Sequence, residues 1–407
     1  MRLKIILLFI FLAMALPMTA RLHEPITTKV MFNKEIIRIF ERNCLGCHAP
    51  NKIKADIPLT TYEEARPWAK AIKEEILEKR MMPFQAVKGY GSFQHDYALL
   101  QRDVELIVSW VEGGAPRGDA KDYPKAAIER LIEGKEWKLG KPDLVLEPAA
   151  EVVLEAGAME TRCVSLPTGL KQGRTINAVE FQPGNGAIVE AASISLAANC
   201  EADAPAIAEW VPGVQPSRLP AGTGFAAPAG AQLQFRIRYR NAGEKTADRS
   251  RVGLYFATAA AAQPLRTIAI APSAEATLPA NEAAARIRAS YTVGAPTTAL
   301  AIRPLLFPFA RSIEATAIRP DGTSEVLIWA RGYRYDWQPV YYFKKPVSLP
   351  PGSRIEVTAY LDNSDGNANN PNDPPKEIRL QGPLCELAVS APAGKGSRSR
   401  ISASVRD

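Results

Sequence analysis

Cys44 and Cys47 stand two residues apart and His48 follows directly, in a chain with five cysteines and three histidines. Three chemistries use a Cys-x-x-Cys. A structural zinc site takes four Cys or His ligands, usually as a second pair at matching spacing. The other cysteines, Cys163, Cys200 and Cys385, are single and distant. A thiol–disulfide couple of this spacing sits near a βαβ pattern, and none surrounds Cys44. The remaining chemistry is covalent haem, for which Cys-x-x-Cys-His is the attachment signature. On that reading Cys44 and Cys47 tether one haem c, and His48 lies under the iron.

The elements around these residues read as helices. In "MFNKEIIRIFERNC" Ile36, Ile37, Phe40 and Cys44 recur at helical spacing, so the cysteines come at a helix end. "TTYEEARPWAKAIKEEILEKR" opens with Thr61 and Glu64 as a capping box and carries a stripe of Trp68, Ala71, Ile72 and Ile76. "HDYALLQRDVELIVSWVEGGAP" places Leu100, Val104, Ile107, Val108 and Val111 on one face and stops at Gly113-Gly114. A haem iron takes a sixth ligand or keeps an open site, and His95 and the pair Met81-Met82 are the candidates. Met residues are more often core packing, but this pair ends a helix and precedes Pro83.

Three helices around one Cys-x-x-Cys-His resemble a class I-like cytochrome c domain. The stretches "KRMMPFQ" and "SWVEGGAPRGD" resemble the ligand loop and ending of a cytochrome module found in large exported bacterial proteins. Phe84 replaces that module's usual tryptophan, and a single proline follows the methionine. The resemblance implies Met82 as distal ligand, with Met81 the runner-up. His23 belongs to the terminus.

The chain opens MRLK, continues as an apolar run over Ile5–Leu16, and reaches a small residue at Ala20. That is the layout of a cleaved secretory signal, and the run is shorter than the roughly 20 residues of a bilayer span. Fifty Lys+Arg against 43 Asp+Glu give a net charge of +7, spread without an aromatic-interleaved basic stripe, which argues against nucleic acid. In an oxidising compartment Cys163 and Cys200 can pair, leaving Cys385 as a buried thiol.

After residue 138 the period changes from helical to two. "AQLQFRIRYRNAG" alternates Leu233, Phe235, Ile237 and Tyr239, and "SRIEVTAYLDNS" alternates Ile355, Val357, Ala359 and Leu361. "SIEATAIRPDGTSEVLIWA" reads as a hairpin around Pro320-Asp321-Gly322. The expected fold is multidomain: an all-α class I-like cytochrome c domain followed by two antiparallel β-sandwiches of jelly-roll type.

The stretches "WKLGKPDLVL", "AVEFQPGN", "EWVPG…LPAGTG" and "PDGTSEVLIWARGYRYDWQPVYYF…LPPGSRIEVTAYLDNSDGNANNPNDPP" resemble, in order, the copper type II ascorbate-dependent monooxygenases, relatives of peptidylglycine monooxygenase. That family holds copper with histidines and one methionine. The matching positions here carry Glu190, Ala191, Arg238, Phe309, Arg311 and Leu387, and no histidine follows His95. Arginine is always protonated and ligates no metal. The resemblance therefore implies a copper-free relative, with Glu190 meeting Arg238 at one vacated site and Phe309 meeting Leu387 at the other.

The expected organisation is a signal at 1–20, a haem domain at 24–119, a linker at 120–137, β-sandwiches at 138–265 and 266–391, and a basic disordered tail at 392–407. The expected function is single-electron transfer by a periplasmic or extracellular monohaem cytochrome. Its partners are redox proteins, with no nucleic acid and no membrane insertion after signal cleavage, and its β module docks a partner or serves assembly. The alternatives are a copper- and haem-dependent monooxygenase, and a haem sensor or peroxidase with an open sixth site.

Overall fold

The computed structural model describes residues 28–81, 85–95, 97–201, 204–258, 263–273, 276–305, 308–332 and 337–390. The expected signal, His23, Met82 and the basic tail lie outside the described residues.

The first helix, α1 (Ile37–Asn43), is entered through a wider helical turn over Phe32–Ile36. Phe32, Ile36, Ile37 and Phe40 are fully buried, and the rings of Phe32 and Phe40 pack on Trp110. The capping box is formed at α2 (Tyr62–Ala65). The Thr61 hydroxyl accepts from the Glu64 N–H, and the Glu64 carboxylate accepts from the Thr61 N–H at 2.9 Å.

A short 3₁₀ turn over Arg66–Trp68 interrupts the expected long helix at Pro67, which lacks an N–H to continue the ladder. The chain resumes as α3 (Ala69–Leu77). That break changes which side faces inward. Ala65, Ala69, Ile72 and Ile76 pack inside, whereas Trp68 is 41% exposed and Ala71 faces solvent. On α4 (Gln101–Glu112) the buried positions are Asp103, Ile107 and Trp110, and Leu100 is exposed. Residues 125–133, inside the expected linker, form α5 (Lys125–Glu133), which ends on Gly134 in the left-handed conformation.

Strands build the rest. Leu233, Phe235, Ile237 and Tyr239 are buried on the strand Gln232–Arg240, and Ile355, Val357, Ala359 and Leu361 on Arg354–Leu361, as period-two alternation requires. Ala310–Ile318 and Ser324–Arg331 form the expected hairpin, with Gly322 at φ 83° in its turn. Cys163 and Cys200 are joined by a disulfide, and Cys385 is a buried thiol.

The assembly of these pieces corrects the expected fold class. The described chain is mostly β, with 38% strand against 15% helix, so sheets set the architecture. One eight-stranded sheet runs through both β halves. Its order is Tyr341–Leu349, Thr297–Pro304, Cys385–Ser390, Gln263–Ile270, Thr223–Ala227, Arg174–Gln182, Arg251–Phe256, Leu144–Leu146. The join is a short parallel pairing of Gln263 with Thr223 and Pro264 with Gly224. A four-stranded sheet packs on the first half and a five-stranded sheet on the second. The chain is therefore not two separate sandwiches behind an all-α domain.

Nor is the helical segment closed on itself. Gln85–Ala86 add an edge strand to Arg331–Ala330, and Phe93 bridges to Phe343. The Phe93 ring stacks on Phe343 at 5.6 Å and lies 4.9 Å from Tyr341, within the core of the second half. Residues 85–95 are a strap by which the helical segment is sewn to the distal β half.

Candidate functional site

The helical segment meets the first β half through two close backbone approaches. A Cβ on Gly46 would stand 3.0 Å from the Gly213 Cα, and one on Gly186 would stand 2.6 Å from the Asn51 carbonyl oxygen. Glycine at 46 and 186 is what lets the Cys-x-x-Cys turn and the Asn51–Lys52 corner sit directly on the β loops. Between these contacts lies a cleft of about 410 Å³. Its walls are the end of α1 with Lys52, the α5 face carrying Ala127 and Arg130, the linker at Glu136 and Lys138, and the sheet positions Glu180, Phe181, Glu209 and Trp210. Tyr97 and Tyr342 reach it from the side of the second half.

Cys44, Cys47 and His48 come where the sequence places them, at the end of α1. The turn is held by the Cys47 and His48 N–H groups donating to the Cys44 carbonyl at 3.0 and 2.9 Å. Neither cysteine is in a disulfide. Burial, with Cys47 and Asp103 nearby, pushes the Cys44 thiol up to about 12, so it is protonated at neutral pH and a poor nucleophile. His48 is buried, its Nδ1 lies 2.9 Å from the Ile57 carbonyl, and desolvation lowers its pKa, so the ring is neutral.

Met82 is outside the described residues, and the Met81 N–H is tied back to the Glu75 carbonyl at 3.2 Å. His95 points its Nε2 at the Pro216 carbonyl, 3.2 Å away.

The six positions proposed as vacated copper sites fall in two places. Glu190 sits 3.2 Å from Arg238 Nε and also pairs with Arg240. Ala191 is opposite Arg238 in the same sheet. In the second half Phe309 and Leu387 are buried in one apolar core, and Arg311 Nε donates to Asp362 at 3.0 Å. The contact between Glu190 and Arg238 is the expected one, and Phe309 and Leu387 share a core with many other residues. They are structural contacts on two sheets, not one assembled site.

Sequence reasoning missed the charges that line the cleft. Glu180 is buried, with one oxygen accepting from the Lys138 N–H at 2.7 Å and the other from the Leu139 N–H and the Tyr255 hydroxyl at 3.1 and 3.0 Å. Behind the cleft Arg303 bridges Glu209 at 2.7 Å and Glu386 at 3.4 Å, and the Ser193 hydroxyl also donates to Glu209. Burial raises the Glu209 pKa against the pull of Arg303. The same desolvation, with Tyr97 and Glu209 nearby, lifts the Tyr342 phenol to about 12. The available signal was a Glu in the middle of "AIAEW", a charge where the alternation of a buried strand predicts none.

No family model and no curated protein matches the chain. Among solved structures it is similar to a xanthan lyase from Paenibacillus at 10% identity and TM-score 0.18, covering 61% of this chain and 25% of that one. An allantoicase matches at 12% identity and TM-score 0.18, covering 59% of this chain and 83% of that one. The VP2 subviral particle of infectious bursal disease virus matches at 9% and 0.20, covering 62% and 72%. The chain thus spans a quarter of the xanthan lyase, and scores this low carry no argument.

These findings correct the cofactor expectation and both resemblances. Among the described residues no group of three or more His, Cys, Asp or Glu side chains is assembled to hold a metal. No cytochrome or monooxygenase family is matched, and the fold is not a separate all-α haem domain. Covalent haem c at Cys44 and Cys47 is not supported. A short local signature supplies the tethers, but binding haem takes a donor set and an enclosing fold as well.

Proposed function

We propose that the protein is an exported binding protein, working through the cleft between its helical segment and its first β half. The single observation that carries this is the cleft itself, a concavity of about 410 Å³ walled by the helical segment, the linker and both β halves. Sites of this size at the meeting of structural units are where small ligands and protruding partner groups bind. Single-electron transfer and redox-partner docking were expectations that relied on haem.

The exported location rests on the Cys163–Cys200 disulfide, which forms and persists in oxidising compartments. Among the described residues no helix is long and apolar enough to cross a membrane. The periplasm or the extracellular space of a bacterium suits both facts.

Ala127 is half-buried on α5, lines the cleft and lies outside the helical core, so Ala127→Trp fills the space without disturbing that core. The wild-type protein, purified from its native host under gentle conditions, is expected to carry a ligand or partner detectable by native mass spectrometry. Ala127→Trp is expected to lose it while keeping its thermal midpoint. Equal retention by both proteins defeats the cleft reading.

A further inference from the structure

We propose that the cleft accepts a small amphipathic anion with a carboxylate group, held between Lys52 and Lys138, with its apolar body against Phe181, Trp210 and Pro212. This rests on the cleft being the binding site and adds the chemical class of what it holds.

Both ammonium groups belong to the cleft lining. Lys52 is carried there by the corner that packs on Gly186. Lys138 is carried by the linker, whose backbone N–H is anchored on Glu180, and its Nζ donates to the Gln215 amide oxygen at 3.1 Å. Among the described residues neither lysine has a carboxylate at ion-pair distance. Desolvation lowers the pKa of each; on Lys138 the nearby Glu180 carboxylate opposes that shift and Lys52 adds to it. Lys138 is exposed to solvent. An anion placed in a cleft lined by two ammonium groups favours the charged form of both.

The carboxylates on the same walls do not fill that role. Glu180 is saturated by two backbone N–H groups and a tyrosine hydroxyl, and Glu209 faces Arg303 and Ser193. Glu41 and Glu136 also line the cleft without an ion pair to either lysine among the described residues, and Arg42 is paired with Asp103. The aromatic and proline surface beside the lysines favours an apolar body over a bare inorganic ion.

The test uses two fluorescent probes that share one ring system: 8-anilinonaphthalene-1-sulfonate, which is anionic, and N-phenyl-1-naphthylamine, which is neutral. The anionic probe should bind one to one and weaken about tenfold in Lys52→Met and in Lys138→Met, as loss of a charged hydrogen bond implies. The neutral probe should be unaffected, and Lys→Arg at either position should restore the anionic probe. Naphthoate should displace the bound probe at concentrations where inorganic phosphate does not. If the Met variants bind the anionic probe like wild type, or phosphate competes as well as naphthoate, the anion inference is wrong while the cleft reading stands. If Ala127→Trp leaves both probes bound, the cleft reading fails with it. Thermal melts of each variant separate lost binding from lost folding.

Discussion

Replacing Arg303 by Met leaves two carboxylates facing each other at the join of the β halves. Glu209 comes from the first half and Glu386 from the second, and Arg303 holds both. Breaking a buried ion pair by removing one partner costs about 3–5 kcal/mol, because the other charge is left uncompensated. The Glu209 side chain keeps 16% of its exposure and that of Glu386 keeps 32%, which places the expected loss at the low end, about 3 kcal/mol. With an unfolding entropy of ~2.1 cal/mol/K per residue over roughly 350 folded residues, that lowers Tm by about 4 °C.

The pH dependence supplies a second readout. Burial raises the folded-state pKa of Glu209 above its unfolded value. The folded state then binds the proton more tightly, so the stability from this group is present below the unfolded pKa and is lost as pH rises through the folded one. Removing Arg303 raises that pKa further. The Tm gap between Arg303→Met and wild type should therefore be wider at pH 8 than at pH 5, and Glu209→Gln in the same background should narrow it. Calorimetry at the two pH values decides. A gap under about 1 °C, or one independent of pH, refutes the account of Arg303 as the charge that holds the halves together.

Three further expectations follow from the same reasoning. The Cys163–Cys200 bridge spans a sequence separation of 37, so Cys163→Ser with Cys200→Ser should cost about 4 kcal/mol by chain entropy, read from urea melts in oxidising buffer. His48 has a lowered folded-state pKa, so its contribution is present above the unfolded value and lost as pH falls through the folded one; an NMR titration of its ring should show a midpoint below ~6.5, and a midpoint above it contradicts the burial argument. Phe93→Ala should cost about 3–5 kcal/mol and expose the strap to proteolysis before the rest of the chain, since its ring is the strap's buried anchor.

The local features were legible because their physics is local. The capping box at Thr61 and Glu64 needs only two side chains and one turn of backbone. The strands Gln232–Arg240 and Arg354–Leu361 show their buried faces in every second residue. Trp68 was placed on the inner face and Trp110 was left out of the α4 stripe, for one reason each. Pro67 changed the face of the helix after it, and the α4 stripe was drawn one position away from the ring that fills the core. The haem expectation failed differently. Cys44, Cys47 and His48 occupy the positions their spacing implies, yet adjacency in sequence says nothing of a sixth ligand, a donor group or the walls around them.

By itself, the sequence determined where the chain turns from helix to strand and which residues of its clearest strands face inward, and it offered Cys163 and Cys200 as residues that can bond. Those follow from periodicity and from the short list of residues that can bond. Only the tertiary structure decided that one sheet runs through both β halves by way of the pairing of Gln263 and Pro264 with Thr223 and Gly224, and that residues 85–95 strap the helices to the far core. It alone brought Lys52 and Lys138, 86 positions apart in the chain, to one cleft. Such pairings depend on which edges and loops meet when many weak contacts are satisfied together, and a pattern within any one segment carries no record of its distant neighbour.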